Sequence, residues 1–374
     1  MKIQDESVDR LIGTLLDRIA DPRHQAKKNV PSPRFTTFLE NLGWAQWFGY
    51  DMNRFYGESE FNLQIQLRQK LFHLDHFDDD TVVAPNVSAS RGMYFEYTVV
   101  GMSVRHQPDG VPIIQDDHPL TKKPDLGLLT LHDFTTSGEM PQVFRLYEDL
   151  QRLSKDRLTV TFPTWQRGPL DMAIQLRGYE QFIMDTIERP AFVHDLMDYL
   201  IEERMRWWDA YCKHFGKTDR TAGISDDWIN VPFITPAMFE DFVLPYYLEL
   251  EKYHGKIVNV HSCGNKVPVQ KMLLRLKTLP AHEVNHWTDL EATCRNIPPD
   301  KHLYISILNT EVLLADEEKM ERDLRRIVAL CRGRSYNVVA QAIEKVNDDM
   351  ADDIAQVERW IAVAKRVFGR PTPQ

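Results

Sequence analysis

Hydrophobic and polar residues follow two different periods along this chain, and from about residue 140 the two periods alternate. Short β-branched runs, typical of buried strands, are each followed by apolar residues at helical spacing. The runs lie at 158–162, 222–227, 256–261, 282–285, 303–307 and 336–340, and the predicted helices at 169–187, 190–215, 236–253, 267–276, 316–332 and 350–367. Strands that alternate with helices predict parallel βαβ units.

A further short apolar run at 82–84 provides a possible first strand and brings the tally close to eight. No Gly-x-Gly-x-x-Gly motif follows any of the strands, which disfavours an open dinucleotide-binding sheet. The sequence therefore predicts an α/β protein with a (β/α)8 TIM barrel. In such a barrel the reactive side chains gather at the C-terminal ends of the strands.

The N-terminal part of the chain has a different pattern. Residues 34–77 are rich in aromatic residues and are predicted to be helical, so we expect an N-terminal helical cap at 1–80 ahead of a barrel at 81–374. Alternating residues on both sides of Asp109-Gly110 predict an inserted β-hairpin at about 93–115, because Asp-Gly is a strong hairpin turn signal.

Composition and net charge exclude some classes of binding partner. The chain has 374 residues, 43% of them hydrophobic, and a formal net charge of −10, which argues against nucleic acid or an anionic membrane as partner. It has four scattered cysteines, no apolar secretion segment and no apolar run of the roughly 20 residues that a spanning helix needs. We therefore expect a cytoplasmic protein that acts on a small molecule.

The segment 256–265 ends a β-branched run with the sequence His-Ser-Cys-Gly. Alternate residues of a strand point to the same side, so His261 and Cys263 can approach one ion, and Gly264 permits a sharp turn. Imidazole nitrogen and thiolate sulfur are typical zinc ligands. The alternative is a buried histidine and a buried thiol without a metal.

Carboxylates follow two neighbouring runs. Asp226 and Asp227 could act as acid and base or bind a cation, or they could merely cap a loop or helix. Glu283 is the preferred third metal ligand, since alternation places it on one face with Asn285 and places His286 on the other face.

Arg167 lies at the end of the run 158–162, where it could clamp a carboxylate or phosphate, or pair with an acidic loop of the protein itself. Five tryptophans could form an aromatic wall or a cation cage, although each one alone is more typical of packing. These residues are Trp44, Trp47, Trp165, Trp228 and Trp287.

Several motifs between residues 60 and 365 carry a family resemblance. They are Phe61 to Leu71, Arg167-Gly168-Pro169-Leu170-Asp171, Arg177-Gly178-Tyr179-Glu180, Asp226-Asp227-Trp228, Phe242 to Tyr247 and His261-Ser262-Cys263-Gly264-Asn265. Together they resemble the uroporphyrinogen decarboxylase superfamily, and more closely its corrinoid-linked methyltransferases. The resemblance implies a (β/α)8 barrel and frequent homodimers. We expect substrate contacts from Trp165, Tyr179, Trp228, Asn285 and His286.

The resemblance also implies a methyl transfer between a corrinoid protein and a small molecule, with zinc held by the His-x-Cys motif and a later cysteine. Two departures matter. The Met-Arg-Gln-Ala-Gly-Arg motif of the decarboxylases is missing, and the stretch 338–344 contains no cysteine. Either Glu283, Gln341 or Glu344 completes the metal site, or the site is lost and the pocket remains.

Two other functions stay open. One is a decarboxylase or lyase for a small carboxylated substrate, with Arg167 as clamp and Asp226 or Asp227 stabilising a protonated intermediate. The other is a protein that binds a corrinoid partner without catalysis.

Overall fold

The computed structural model describes residues 6–92 and 94–370 of the chain. The ranges 1–80, 81–374 and 93–115 predicted from the sequence also contain residues 1–5, 93 and 371–374, which lie outside the described residues.

Ten strands occur within the described ranges. They are β1 (Phe35–Leu39), β2 (Asn86–Ser88), β3 (Val104–Gln107), β4 (Gly110–Ile114), β5 (Thr159–Thr161), β6 (Ala222–Ser225), β7 (Ile257–His261), β8 (Ala281–Val284), β9 (His302–Ile307) and β10 (Tyr336–Ile343).

Helices cover most of the remaining chain. They are α1 (Val8–Ala20), α2 (Pro22–Ala26), α3 (Asn41–Phe48), α4 (Met52–Gly57), α5 (Ser59–His76), α6 (Phe95–Val99), α7 (Met140–Ser154), α8 (Pro169–Arg177), α9 (Tyr179–Glu188), α10 (Pro190–Phe215), α11 (Pro236–Phe242), α12 (Leu244–His254), α13 (Gln270–Leu273), α14 (Leu290–Asn296), α15 (Asn309–Leu313), α16 (Glu317–Leu330) and α17 (Met350–Phe368). None of these helices is both long and apolar enough to cross a membrane.

All strands except β3 and β4 run parallel in ladders separated by helices. Strands β1, β10, β9 and β8 form one ladder in that order, while β2 pairs with β5 and β6 pairs with β7. A parallel bridge between Arg167 and Ser225 joins the end of β5 to β6. The pairing of the first strand with the last, Phe35 opposite Val338, brings the two ends of the chain together as a closed barrel requires. The predicted α/β barrel is confirmed.

The sequence missed the first barrel strand. Residues 34–77 were predicted to be helical throughout, but Phe35–Leu39 is strand β1, whose Phe35 and Leu39 are buried under helices while Phe38 faces the barrel interior. The strand predicted at 82–84 is also wrong, since the nearby strand is β2 at Asn86–Ser88. A domain boundary at residue 80 stays a prediction, although β1 lies before it and belongs to the sheet.

The hairpin predicted at 93–115 has narrower bounds in the structure. Strands β3 and β4 pair antiparallel with Val104 opposite Ile114, whereas helix α6 occupies 95–99. The helix predicted at 169–187 is interrupted by Gly178, whose φ of 85° is left-handed. Such a backbone conformation suits glycine and ends a helix.

We expect Gly43→Ala to destabilise the barrel where α3 packs on the end of β10. A Cβ atom at Gly43 would lie 2.2 Å from the backbone oxygen of Ile343, which cannot move like a side chain. Overpacking of this kind costs roughly 1–3 kcal/mol, measurable by chemical denaturation.

Gly13→Ala in the middle of α1 is the matched control, because a Cβ atom there meets nothing within 4 Å. It should stabilise the protein by roughly 0.5–1 kcal/mol. Equal effects of the two substitutions would contradict the packing described for Gly43.

Candidate active site

A cavity of about 600 Å³ lies at the C-terminal ends of the barrel strands, where side chains from several strands meet. Its volume suits a small-molecule ligand. The wall residues used below are Phe38, Glu40, Glu96, Arg167, Asp227, His261, Cys263, Glu283, Asn285, His286, Trp287, Gln341 and Ala342.

The end of β7 brings His261 and Cys263 together as the sequence predicts. His261 Nε2 lies 3.5 Å from Cys263 Sγ, and the cysteine is exposed. A Cβ atom at Gly264 would lie only 2.1 Å from Asn230 Oδ1, so a larger residue after Cys263 would displace the buried side chain of Asn230. The motif is therefore built on the surface of the cavity and is not part of the apolar core.

Asp227 is the third member of this cluster. Its Oδ1 atom lies 3.2 Å from Cys263 Sγ and 3.4 Å from His261 Nε2. One ligand atom from each of the three residues lies within 4.8 Å of the others, close enough to hold a metal ion. Asp227 comes from the loop after β6, which is paired with β7.

Glu283 does not occupy the place predicted for it as a metal ligand. It lies behind His261, where its Oε1 is 2.8 Å from His261 Nδ1, and its Oε2 accepts a hydrogen bond from Lys266 Nζ at 2.7 Å. The sequence predicted Glu283 as the third ligand, but the structure places Asp227 in that position. Glu283 instead fixes the orientation of the imidazole ring.

Arg167 also lies at the cavity, but it is already engaged by the protein. Its Nη1 atom donates to Asp227 Oδ2 and to Asp171 Oδ2, both at 2.9 Å. Tyr97 donates its hydroxyl proton to Asp171 at 2.8 Å, so the second carboxylate is held in turn. This arrangement corresponds to the structural alternative weighed for Arg167, in which it pairs with acidic loops.

Asp226 does not converge on the cavity with Asp227, contrary to the prediction. It is 0% exposed and accepts hydrogen bonds from Tyr247 Oη and from the backbone of Leu170. Burial, with the nearby Asp171 carboxylate, raises its pKa well above the ordinary value. The two neighbouring aspartates point to opposite sides of the backbone, so only Asp227 can reach a ligand.

Three aromatic residues predicted to bind substrate do not line the cavity. Trp165 is buried and donates its indole proton to the backbone of Arg167. Tyr179 stacks on Trp228 with ring centroids 5.1 Å apart, outside the cavity wall. All three pack within or against the apolar core, which is the alternative considered for the two tryptophans.

Asn285 and His286 line the cavity, so their positions agree with the substrate contacts predicted for them. Asn285 Nδ2 donates to the carbonyl oxygens of Ser262 at 2.6 Å and Gly264 at 2.7 Å. Asn285 therefore braces the loop that carries Cys263. The substrate-binding role of His286 stays a prediction.

The C-terminal end of β10 and the residue after it, Glu344, supply no thiol. Gln341 accepts a hydrogen bond from Ser306, and Ala342 holds a left-handed φ of 53° in the cavity wall. A left-handed conformation is unusual for a residue with a Cβ atom and marks a constrained corner. Among the Asp, Glu, His and Cys side chains of the described residues, Glu344 does not belong to the metal-sized cluster. Gln341 as a metal ligand stays a prediction.

Phe38, Glu40 and Glu96 are among the cavity residues that sequence reasoning missed. Phe38 and Glu40 were missed because β1 was assigned to a helix. With β1 recognised, residues 38 and 40 would follow the inward face by alternation. Glu96 lies in the short helix α6 and carries no local signal for a site.

The charged groups of the cluster shift one another's pKa values. Although burial opposes it, hydrogen bonds to Asp227, Cys263 and Glu283 raise the pKa of His261 to about 11. Burial likewise opposes the effect of Lys266 and His261, which together lower the pKa of Glu283 to about 2. Asp227 also has a lowered pKa, since His261 and Arg167 outweigh its burial. Without a metal, His261 is therefore an imidazolium between two carboxylates.

The donor set fits zinc. Carboxylate oxygen, imidazole nitrogen and thiolate sulfur are all zinc ligands, and three protein ligands leave a position open for a substrate atom. Glu283 on His261 Nδ1 provides the carboxylate–histidine pairing that orients metal-binding imidazoles and leaves Nε2 for the ion. Asp227, His261 and Cys263 would hold the metal.

The protein is therefore a (β/α)8 barrel with a candidate metal site at the C-terminal ends of its strands. The site consists of a nitrogen, an oxygen and a sulfur ligand. The sequence profile of the family "Uroporphyrinogen decarboxylase (URO-D)" matches residues 86–341, more than half of the chain. The chain belongs to the uroporphyrinogen decarboxylase family.

A solved structure supports the fold assignment. A methyltransferase from Methanosarcina mazei superposes with a TM-score of 0.65 at 13% sequence identity, covering 95% of this chain and 99% of that chain. At this identity the likeness establishes the fold. A comparison with curated protein sequences gives no match.

We expect Cys263→Ala to abolish stoichiometric zinc binding while the fold is kept, because the exposed thiol contributes little to the core. With only one thiolate, the wild-type site should also lose zinc readily to chelators. Elemental analysis before and after dialysis against EDTA, with thermal unfolding, measures both. Cys294→Ala is the matched control, and zinc retained by Cys263→Ala would refute this site.

We expect Glu283→Gln to lower the pKa of His261, because a carboxylate that stabilises the imidazolium is removed. Loss of such an outer partner should also weaken zinc binding by roughly 10–100-fold. NMR titration of the imidazole in the metal-free protein and calorimetry with zinc measure the two effects. Glu358→Gln on α17 is the control, and an unchanged His261 pKa in Glu283→Gln would contradict the assigned contact.

Proposed function

We propose that this protein is a methyltransferase that moves a methyl group between a corrinoid carried by a partner protein and a small molecule bound in the barrel cavity. Membership of the uroporphyrinogen decarboxylase family and the fold likeness to an archaeal methyltransferase support the proposal. The observation that carries it is the exposed Cys263 thiol beside His261 and Asp227 in the cavity wall.

The residues around the cluster act as positioning groups. Glu283 holds one imidazole nitrogen of His261 and directs the other toward Cys263. Arg167 holds Oδ2 of Asp227 and leaves Oδ1 toward the cluster. Such pre-arranged ligands bind without a large reorganisation.

Zinc bound by these three residues would lower the pKa of a substrate thiol that fills its open position, and so make it a nucleophile near neutral pH. The cavity wall then has to orient the small substrate and exclude water. A cavity of about 600 Å³ suits the small substrate, so the corrinoid would remain bound to its partner protein at the mouth of the barrel. Placing both reactants in line supplies much of the rate enhancement in such a transfer.

The decarboxylase alternative needs a cation that can clamp a substrate carboxylate. Arg167 was the candidate, and its ion pairs with Asp171 and Asp227 already satisfy its charge. Asp226, the other proposed participant, is buried away from the cavity. No contact of the described residues favours decarboxylation over methyl transfer.

The test is methyl transfer from methylcobalamin to 2-mercaptoethanol by the zinc-loaded protein, followed by the change in corrinoid absorbance. We expect turnover that falls by about 100-fold or more in Cys263→Ala, since removal of a ligand should cost at least as much as removal of an outer-shell partner. Cys294→Ala should keep the wild-type rate.

Two results would contradict the proposal. One is full turnover by Cys263→Ala, which would exclude a role for the thiol cluster. The other is no transfer by the zinc-loaded protein together with carbon dioxide release from a small carboxylic acid, which would favour the decarboxylase.

A further inference from the structure

The charged groups of the metal-sized cluster satisfy one another. Arg167 pairs with Asp171 and Asp227, and His261 lies between Asp227 and Glu283. The second oxygen of Glu283 is held by Lys266. Two further carboxylates of the cavity wall, Glu40 and Glu96, take no part in these ion pairs, although His261 attracts Glu40 and Arg167 attracts Glu96.

Glu40 is such a carboxylate. It follows the inward-facing Phe38 at the end of β1 and lines the cavity. Among the described residues its side chain has no hydrogen-bond or ion-pair partner. Burial and the neighbouring Glu344 carboxylate raise the pKa of Glu40, while His261 opposes them. The wall thus holds an acidic group that a cationic ligand would stabilise.

Glu96 provides a second, independent observation. It is only 3% exposed and lines the cavity, yet its Oε2 atom is buried without a hydrogen-bond partner in the part of the chain that the structure describes. A buried carboxyl oxygen without a partner is costly. The other oxygen, Oε1, accepts a hydrogen bond from the backbone amide of Gln166 at 3.0 Å, so Glu96 adds a second acidic side chain to this wall.

Aromatic rings complete this wall. The side chain of Phe38 is 49% exposed although it points into the barrel, and Trp287 is 61% exposed at the mouth. The faces of such rings attract ammonium groups and pack against the methylene groups beside them. The uncovered surface inside the cavity is therefore suited to a small organic cation.

We propose that the substrate of this cavity is a small thiol that also carries an ammonium group, with its sulfur at Asp227, His261 and Cys263 and its ammonium group paired with Glu40. This inference rests on the proposed methyl transfer. In that reaction the cobalt–carbon bond of the methylcorrinoid breaks with its electron pair left on cobalt, a sulfur–carbon bond forms, and the thiol proton is released to solvent.

Binding of the corresponding methyl thioethers tests the proposal without metal, corrinoid or turnover. The probes are 2-(methylthio)ethylamine, 2-(methylthio)ethanol and 3-(methylthio)propionate, which differ in charge and little in size. Calorimetry with the metal-free protein at pH 7 should give the lowest Kd for the amine, by about tenfold or more over the alcohol. The propionate should bind weakest.

Glu40→Gln should raise the Kd of the amine by about tenfold and leave the Kd of the alcohol unchanged, because it removes the charge and keeps the shape. Glu40→Asp should restore most of the affinity for the amine. Glu318→Gln on α16 is the control, since the side chain of Glu318 is 91% exposed and lies outside the cavity wall. Thermal unfolding of each variant checks the fold.

The propionate binding as tightly as the amine, or an unchanged amine Kd in Glu40→Gln, would overturn the inference. Its failure is separable from that of the methyltransferase proposal. Selective amine binding without any methyl transfer would leave the cation site standing and refute the reaction, whereas zinc-dependent methyl transfer without amine selectivity would do the reverse.

Discussion

The carboxylate of Asp227 is the contact on which the candidate site depends. One of its oxygens accepts from Arg167, and the other lies next to Cys263 and His261. It thus joins the end of β5, the end of β6 and the end of β7 across the mouth of the barrel. Because each oxygen is committed to a different strand end, the cluster can keep its shape only while the strands keep their register.

Burial separates the roles of two adjacent aspartates. Asp226 is fully enclosed beside Tyr247 and Asp171, where the charged form is disfavoured and its pKa is raised. Asp227 faces two cations, and its pKa is lowered despite partial burial. Like-charge repulsion inside the barrel is avoided in this way, since only one member of the pair needs to be ionised. The buried Asp226 thus supports the strand end through its hydrogen bonds, beside a carboxylate that faces the cavity.

The sequence predicted the barrel well because its later strands and helices alternate with clear periods. Helix α10 begins and ends where the pattern placed it, at 190–215, and β7 differs by one residue from the run 256–261. The first strand was missed because β1 is five residues long and is followed by an aromatic helix, so local periodicity is dominated by the helix. Its pairing with β10 is a contact between the ends of the chain that no local pattern contains.

The candidate site was predictable in part for a similar reason. His261 and Cys263 lie on one strand end, so their proximity follows from a two-residue spacing. The choice between Asp227 and Glu283 as third ligand depends on which neighbouring loop bends toward the cluster, and that is set by the Arg167 contact from a third strand. Lys266 then ties Glu283 back to the carbonyl oxygen of Val260 on β7. With Glu283 held there, the imidazolium of His261 neutralises the cluster without a metal, and a zinc ion would have to displace that proton. Metal binding at this cluster would therefore release a proton and strengthen as the pH rises.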